Sequence, residues 1–123
     1  MKETLPKKEI LRGKDKVKKT IELGKQIASG EIFCYCLKTK EPAKIEIAFS
    51  APKKKFPLAT KRNKLKRFMR EAYRKNKSEL DETSKLNGVS YKILFLIEKE
   101  INFSAVEQNV KKIIQKIISQ QNV

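Results

Sequence analysis

The chain has 123 residues, with 30 lysines and arginines, 14 aspartates and glutamates, no histidine and a formal net charge of +16. That length fits one domain around a single modest core, and 39% hydrophobic residues exclude a wholly disordered basic tail. The longest apolar run, Ile93 to Ile97, is far too short to span a bilayer, and the Lys-rich start lacks the apolar stretch of a signal peptide, so a cytoplasmic protein without membrane contact is expected.

Residues 1 to 13 carry scattered Leu5, Ile10 and Leu11 and are expected to lie over the surface. Asp15 to Leu23 reads as a short helix with Val17, Thr20 and Ile21 on one face and Gly24 as its C-cap. Val17 and Ile21 fit either core packing or the wall of a ligand cleft. Residues 25 to 29 are expected to add a short strand. Glu31 to Lys38 alternates Phe33, Tyr35 and Leu37 against Ile32, Cys34 and Cys36, a strand covered on both faces. Its isolated C-x-C supplies half a tetrahedral zinc site with no histidine to complete it. Two small buried hydrophobes is the better reading.

Glu41-Pro42 predicts a turn, and Ile45, Ile47 and Phe49 mark a second strand, Lys44 to Ala51, as the expected hairpin partner of the first. Pro52 and the triple Lys53, Lys54, Lys55 end it. After Phe56-Pro57-Leu58 a helix is expected from Ala59 or Thr60, with Thr60 as N-cap. On that helix Leu65, Phe68, Met69, Ala72 and Tyr73 form one apolar stripe, while Asn63, Lys66, Arg67, Arg70, Arg74 and Lys77 cluster on the other side. Its one acid, Glu71, is spaced to pair with Arg67 and Lys75. The helix is expected to fade over Ser78 to Leu86 before a turn at Asn87-Gly88. Val89 to Ile97 reads as a central strand buried on both sides. Ser104 and Glu107 make a capping box, and Val106, Val110, Ile113, Ile114, Ile117 and Ile118 stripe a final core helix.

Helix, two or three strands, basic helix, strand and last helix make a single-domain two-layer α/β (α+β) sandwich. Residues 53 to 77 hold 12 lysines and arginines against one glutamate, so most of the chain's charge sits in one fifth of its length. Such a row repels itself unless a polyanion lies against it, and nucleic acid is the expected partner. Without histidine no Ser-His or Cys-His nucleophile pair exists, and the acids show no D-x-D or E-x-x-H spacing of a metal site. The residues equip the chain poorly as a free-standing enzyme.

The segment from Ile45 to Tyr73 resembles the protein subunit of bacterial ribonuclease P. A strand runs into the lysine cluster Lys53-Lys54-Lys55, a connection containing Ala59 follows, and the helix then reads Arg62-Asn63-Lys64-Leu65-Lys66-Arg67-Phe68-Met69-Arg70-Glu71, close to the family's R-N-R-x-x-K-R-x-x-R-E pattern. Lys64 stands where the family has a third arginine, keeping charge but losing the planar fork. Phe56-Pro57-Leu58 replaces a Gly-rich approach. Val17 and Ile21 occupy positions that are often aromatic in the family.

The resemblance implies a four-stranded mixed sheet in the order α-β-β-β-α-β-α, with a left-handed β-α-β crossover, similar to the second domain of ribosomal protein uS5. It implies the accessory protein of a ribonucleoprotein endoribonuclease, in which the RNA subunit carries catalysis. Its partners are then ribonuclease P RNA and precursor tRNA, with no protein partner required, and Mg²⁺ is held by the RNA and substrate rather than by this chain. No residue is assigned a catalytic or metal-binding role. The RNA-binding residues are Lys53, Lys54, Lys55, Arg62, Asn63, Lys64, Lys66, Arg67, Arg70 and Arg74; Arg62 and Lys64 fit a capping role as well, and Asn63 a local turn. Val17, Ile21, Phe33 and Tyr35 are the expected walls of a cleft for the 5′ leader of precursor tRNA. The alternatives are a ribosomal or other structural RNA-binding protein, and a DNA-binding module, which the lack of base-reading side chains and of a dimerisation signal disfavours.

Overall fold

A computed structural model describes residues 9–40 and 44–120. The elements are α1 (Lys14–Leu23), β1 (Lys25–Ser29), β2 (Ile32–Thr39), β3 (Ile45–Ser50), α2 (Ala59–Asn76), α3 (Ser78–Asn87), β4 (Ser90–Ile97) and α4 (Phe103–Ser119). The four strands form one mixed sheet in the order β1-β2-β4-β3. β1 and β4 flank β2 antiparallel, and β3 runs parallel to β4. The short strand expected at residues 25 to 29 is present. The turn expected at Glu41-Pro42 lies outside the described residues.

β2 and β3 do not form the expected hairpin, because β4 lies between them. The cause is in β4 itself: Ile93, Leu94 and Phe95 are all buried, so the strand is covered on both faces and belongs at the centre. Register places Cys34 opposite Ile27 and Phe95, and Ile93 between Cys36 and Ile47, all with core-facing side chains. Both cysteines are buried, free thiols. Against this face pack α2, through Leu65, Met69, Ala72 and Tyr73, and α4, through Val106, Val110, Ile113, Ile114 and Ile117. The two helices meet at an edge-to-face contact of Phe68 and Phe103, 5.6 Å between ring centroids.

Four local expectations are corrected. Residues 78–87 do not fade but form α3, fixed by buried Leu80 and Ser84 and stopped by Gly88 in the left-handed region at φ 62°; its apolar positions are too few to show a helical period. The cap of α4 is Asn102, whose side-chain oxygen accepts from the Ala105 N–H, rather than Ser104. α2 begins at Ala59 with Leu58 at the cap position and no side-chain cap from Thr60. Residues 9 to 11 are not loose on the surface: Ile10 bridges Ile47, the Leu11 N–H donates to the Ile47 carbonyl at 2.8 Å, and Leu11 is buried.

α1 crosses the sheet face opposite to α2 and α4. Gly24 ends it because the chain turns tightly against β2: a Cβ there would lie 2.3 Å from the Thr20 carbonyl oxygen and 3.2 Å from the Cys36 backbone. Its φ of −76° is ordinary, so close approach, not a left-handed cap, explains the glycine.

Candidate nucleic-acid interface

Two anchors set the roll of α2. On the α4 side, beyond the Phe68–Phe103 contact, Lys75 Nζ sits 5.3 Å from the centre of the Phe103 ring. On the other flank Lys77 Nζ meets Glu9 at 2.8 Å, beside the segment bridged to β3. Between these anchors the cationic arc faces solvent. The three-lysine turn precedes it, fixed by the Lys55 and Phe56 N–H groups donating to the Pro52 carbonyl and by burial of Phe56.

The ten residues singled out for RNA binding divide by what holds them. Lys53, Lys54, Lys66 and Arg70 form no ion pair with a carboxylate among the described residues. Exposed Arg67 lies 5.9 Å from the centre of the Phe68 ring, and Asn63 is also exposed. Arg62 is engaged locally, donating to the Phe56 and Pro57 carbonyls at 2.8 and 2.9 Å, so it clamps the entry loop onto the first turn. Lys55 pairs with Glu98 at 3.3 Å, and Lys64 with Glu100 at 3.2 Å. Glu71 pairs with Arg74 at 3.0 Å rather than with Arg67 or Lys75. The guanidinium of Arg74, joined by Lys75 and Arg70, holds the Glu71 carboxyl below its ordinary range.

Sequence reasoning missed Glu98 and Glu100. They follow β4 in the turn to α4, and Glu100 also reaches Lys61 at 2.9 Å. Lys61 and Lys64 hold the Glu100 carboxyl below its ordinary range. The signal was the pattern Glu98-Lys99-Glu100 after the last strand, but only the parallel placement of β3 and β4 brings that turn to the start of α2. There it offsets three cations, Lys61, Arg62 and Lys64, which the positive end of the helix dipole disfavours.

On the opposite sheet face, Phe33 and Tyr35 stand side by side, their rings edge-to-face at 5.7 Å. Both are half-buried, and register puts Ala48, Ser50, Leu94 and Leu96 on the same face. α1 spans this face. Its Lys16, Lys19 and Leu23 border a hollow at the end of the sheet where β2 finishes. Val17 and Ile21, one turn apart, line a shallow surface hollow bounded by α1 and its cap alone, with Gly13, Lys14, Lys18 and Glu22. Neither is in the core: Val17 is half-buried and Ile21 is 41% exposed. Thr20 makes the buried contact, its hydroxyl donating to the Lys16 carbonyl. Neither Val17 nor Ile21 is therefore part of the packed core.

Among the described residues no group of three or more Cys, Asp or Glu is placed to hold a metal ion, and no helix is long and apolar enough to cross a membrane. The two faces of this small α/β sandwich thus differ: α2 presents a solvent-facing cationic row on one side, and on the other Phe33 and Tyr35 sit half-buried on the face that α1 spans. The sequence profile of the ribonuclease P family matches residues 5–118, and the chain belongs to that family. It is 34% identical over 116 residues to the ribonuclease P protein component of Mycoplasma mobile, covering 92% of this chain and 93% of that one. A 44-residue stretch is 48% identical to the ribonuclease P protein component of Chlorobium phaeobacteroides, covering 36% of this chain and 30% of that one. The fold is that of the Staphylococcus aureus RNase P protein, with a TM-score of 0.72 at 18% identity over 89% of this chain and 94% of that one.

Proposed function

We propose that this chain binds the RNA subunit of a cytoplasmic ribonuclease P through α2 and the preceding lysine turn, and holds the 5′ leader of precursor tRNA against the α1 face of the sheet. The observation that carries the reading is the set of cations that form no ion pair with a carboxylate among the described residues, Lys53, Lys54, Lys66 and Arg70 with Arg67 beside them, on a helix whose other side is locked into the core. Their ammonium and guanidinium groups replace the counterions condensed on two crowded polyanions, letting RNA subunit and substrate approach at physiological salt. The uncapped first turn of α2 adds N–H groups at the positive end of the helix dipole. Phe33 and Tyr35 offer ring faces to the unpaired leader, which stacking accepts with little regard to sequence.

The hydrolysis, in which water cleaves one phosphodiester to release the leader and leave a 5′-phosphate on the mature tRNA, is chemistry that magnesium ions held by the RNA and its substrate would supply. The protein's part is electrostatic and positional. Adding the purified chain to a bacterial ribonuclease P RNA at low Mg²⁺ is expected to stimulate removal of the leader from precursor tRNA. Binding without stimulation would instead identify a structural RNA-binding protein. Replacing Arg67 and Arg70 by alanine is expected to weaken assembly with the RNA and flatten its salt dependence by about 1–2 in log–log slope, with an unchanged circular-dichroism spectrum. A melted spectrum would make those side chains structural.

A further inference from the structure

At the end of the sheet where β2 finishes and β4 begins, the packing between the strands and α4 stays open. The last buried side chain of α4 is Ile117, and of the residues after it Gln120, the C-cap, borders this end. Register sets Cys36 opposite Lys25 of β1, and Tyr91 opposite Lys38 of β2. These six residues line a hollow of about 310 Å³, at the lower end of the range of small-molecule sites, roughly 300–1,000 Å³. Tyr91 is 1% exposed, and its hydroxyl is shut off from solvent with no hydrogen-bond partner among the described residues. A buried tyrosine normally finds a partner for its O–H. One that borders a hollow and has none marks a missing acceptor.

We infer that this hollow binds a small uncharged molecule with an apolar body and a hydrogen-bond acceptor, which accepts from the Tyr91 O–H. Ile117, the Cys36 thiol and the tyrosine ring supply the apolar wall. Burial pushes both the Cys36 thiol and the Tyr91 hydroxyl up to about 12, so near neutral pH both stay protonated and the hydroxyl serves as a donor. An ion placed beside these two neutral groups would lose its water without gaining a counter-charge, so charge is disfavoured inside. Lys25 and Lys38 are exposed and share the mouth with the negative end of the α4 dipole, where water screens them. The site lies on the α4 side of the sheet, apart from the cationic row of α2 and from the Phe33–Tyr35 face, and does not rest on the function proposed above.

Benzamide, an uncharged ring carrying a carbonyl acceptor, is the probe, and benzoate is its charged counterpart. The full chain is titrated with each at constant ionic strength near neutral pH, and backbone amide signals are followed by NMR. Benzamide is expected to give saturating shifts at Cys36, Lys38, Tyr91 and Ile117, with a Kd on the order of 1 mM. Benzoate is expected to bind about tenfold more weakly. Tyr91→Phe is expected to raise the benzamide Kd about fivefold, and to leave Tm in probe-free buffer unchanged or higher, because it removes a hydroxyl without a partner. Shifts at these residues that do not saturate, or an unchanged Kd in Tyr91→Phe, would overturn the site. Benzoate binding as tightly as benzamide would overturn the uncharged class of ligand. A lowered Tm for Tyr91→Phe would mean that the hydroxyl is already satisfied within the fold, and would overturn the part given to it. None of these readouts involves RNA, so a failure here leaves the ribonuclease P reading untouched.

Discussion

Replacing Glu100 by glutamine isolates the electrostatic argument in one oxygen-for-nitrogen exchange. Its two carboxylate oxygens hold Lys61 at 2.9 Å and Lys64 at 3.2 Å. The amide keeps the shape but loses the charge, freeing two ammonium groups at the first turn of α2. Each further phosphate they neutralise steepens the dependence of log K on log[salt] by about 0.9 on a duplex and 0.7 on a single strand. Two freed lysines therefore steepen the slope by roughly 1.4–1.8, and the variant's advantage over the parent shrinks about 7–12-fold between 50 and 200 mM salt. Filter binding to ribonuclease P RNA at a series of potassium chloride concentrations measures this directly. The same exchange made on a Lys61→Ala, Lys64→Ala background is expected to leave the slope unchanged, which separates local release from a general rise in net charge. An unaltered slope in the single variant, with an intact circular-dichroism spectrum, would refute the idea that these lysines reach phosphate at all.

Five other outcomes are expected. Tyr35→Ala weakens binding of precursor tRNA by about 1–3 kcal/mol, the scale of one stacked base, and spares mature tRNA; equal losses on both substrates would remove the leader from this face. In the core, Leu65→Ala lowers stability to chemical denaturation by about 2–5 kcal/mol, since the side chain is fully buried, whereas Tyr73→Phe is neutral or stabilising because its buried hydroxyl has no hydrogen-bond partner among the described residues. Burial pushes the Cys36 thiol up from 9.0 to about 12 and raises Cys34 further. The unfolded chain then releases these protons at lower pH than the folded one, so stability is full below pH 9.0 and falls from there to about pH 12, as thermal melts across that range would record. Over the same melts both thiols stay unreactive to disulfide reagents at pH 8 until the chain unfolds.

The elements with strong periodicity were legible from residues alone. The stripe Leu65, Met69, Ala72 and Tyr73 had to be buried, and the cations opposite it had to face solvent, because one helical period decides both. The final isoleucine-rich helix and the β4 run followed from equally local patterns. α3 was not legible, since two buried positions, Leu80 and Ser84, and a stopping glycine hold it without an apolar stripe.

What the sequence determined by itself is the existence of a cationic helix face and the residues that make it, because charge and period are properties of neighbouring positions along the chain. Which of those cations are left for a partner was decided only by the tertiary structure. The insertion of β4 between β2 and β3 carries Glu98 and Glu100 to the start of α2. Ion pairs between residues more than thirty positions apart depend on strand order, and no local pattern encodes that order.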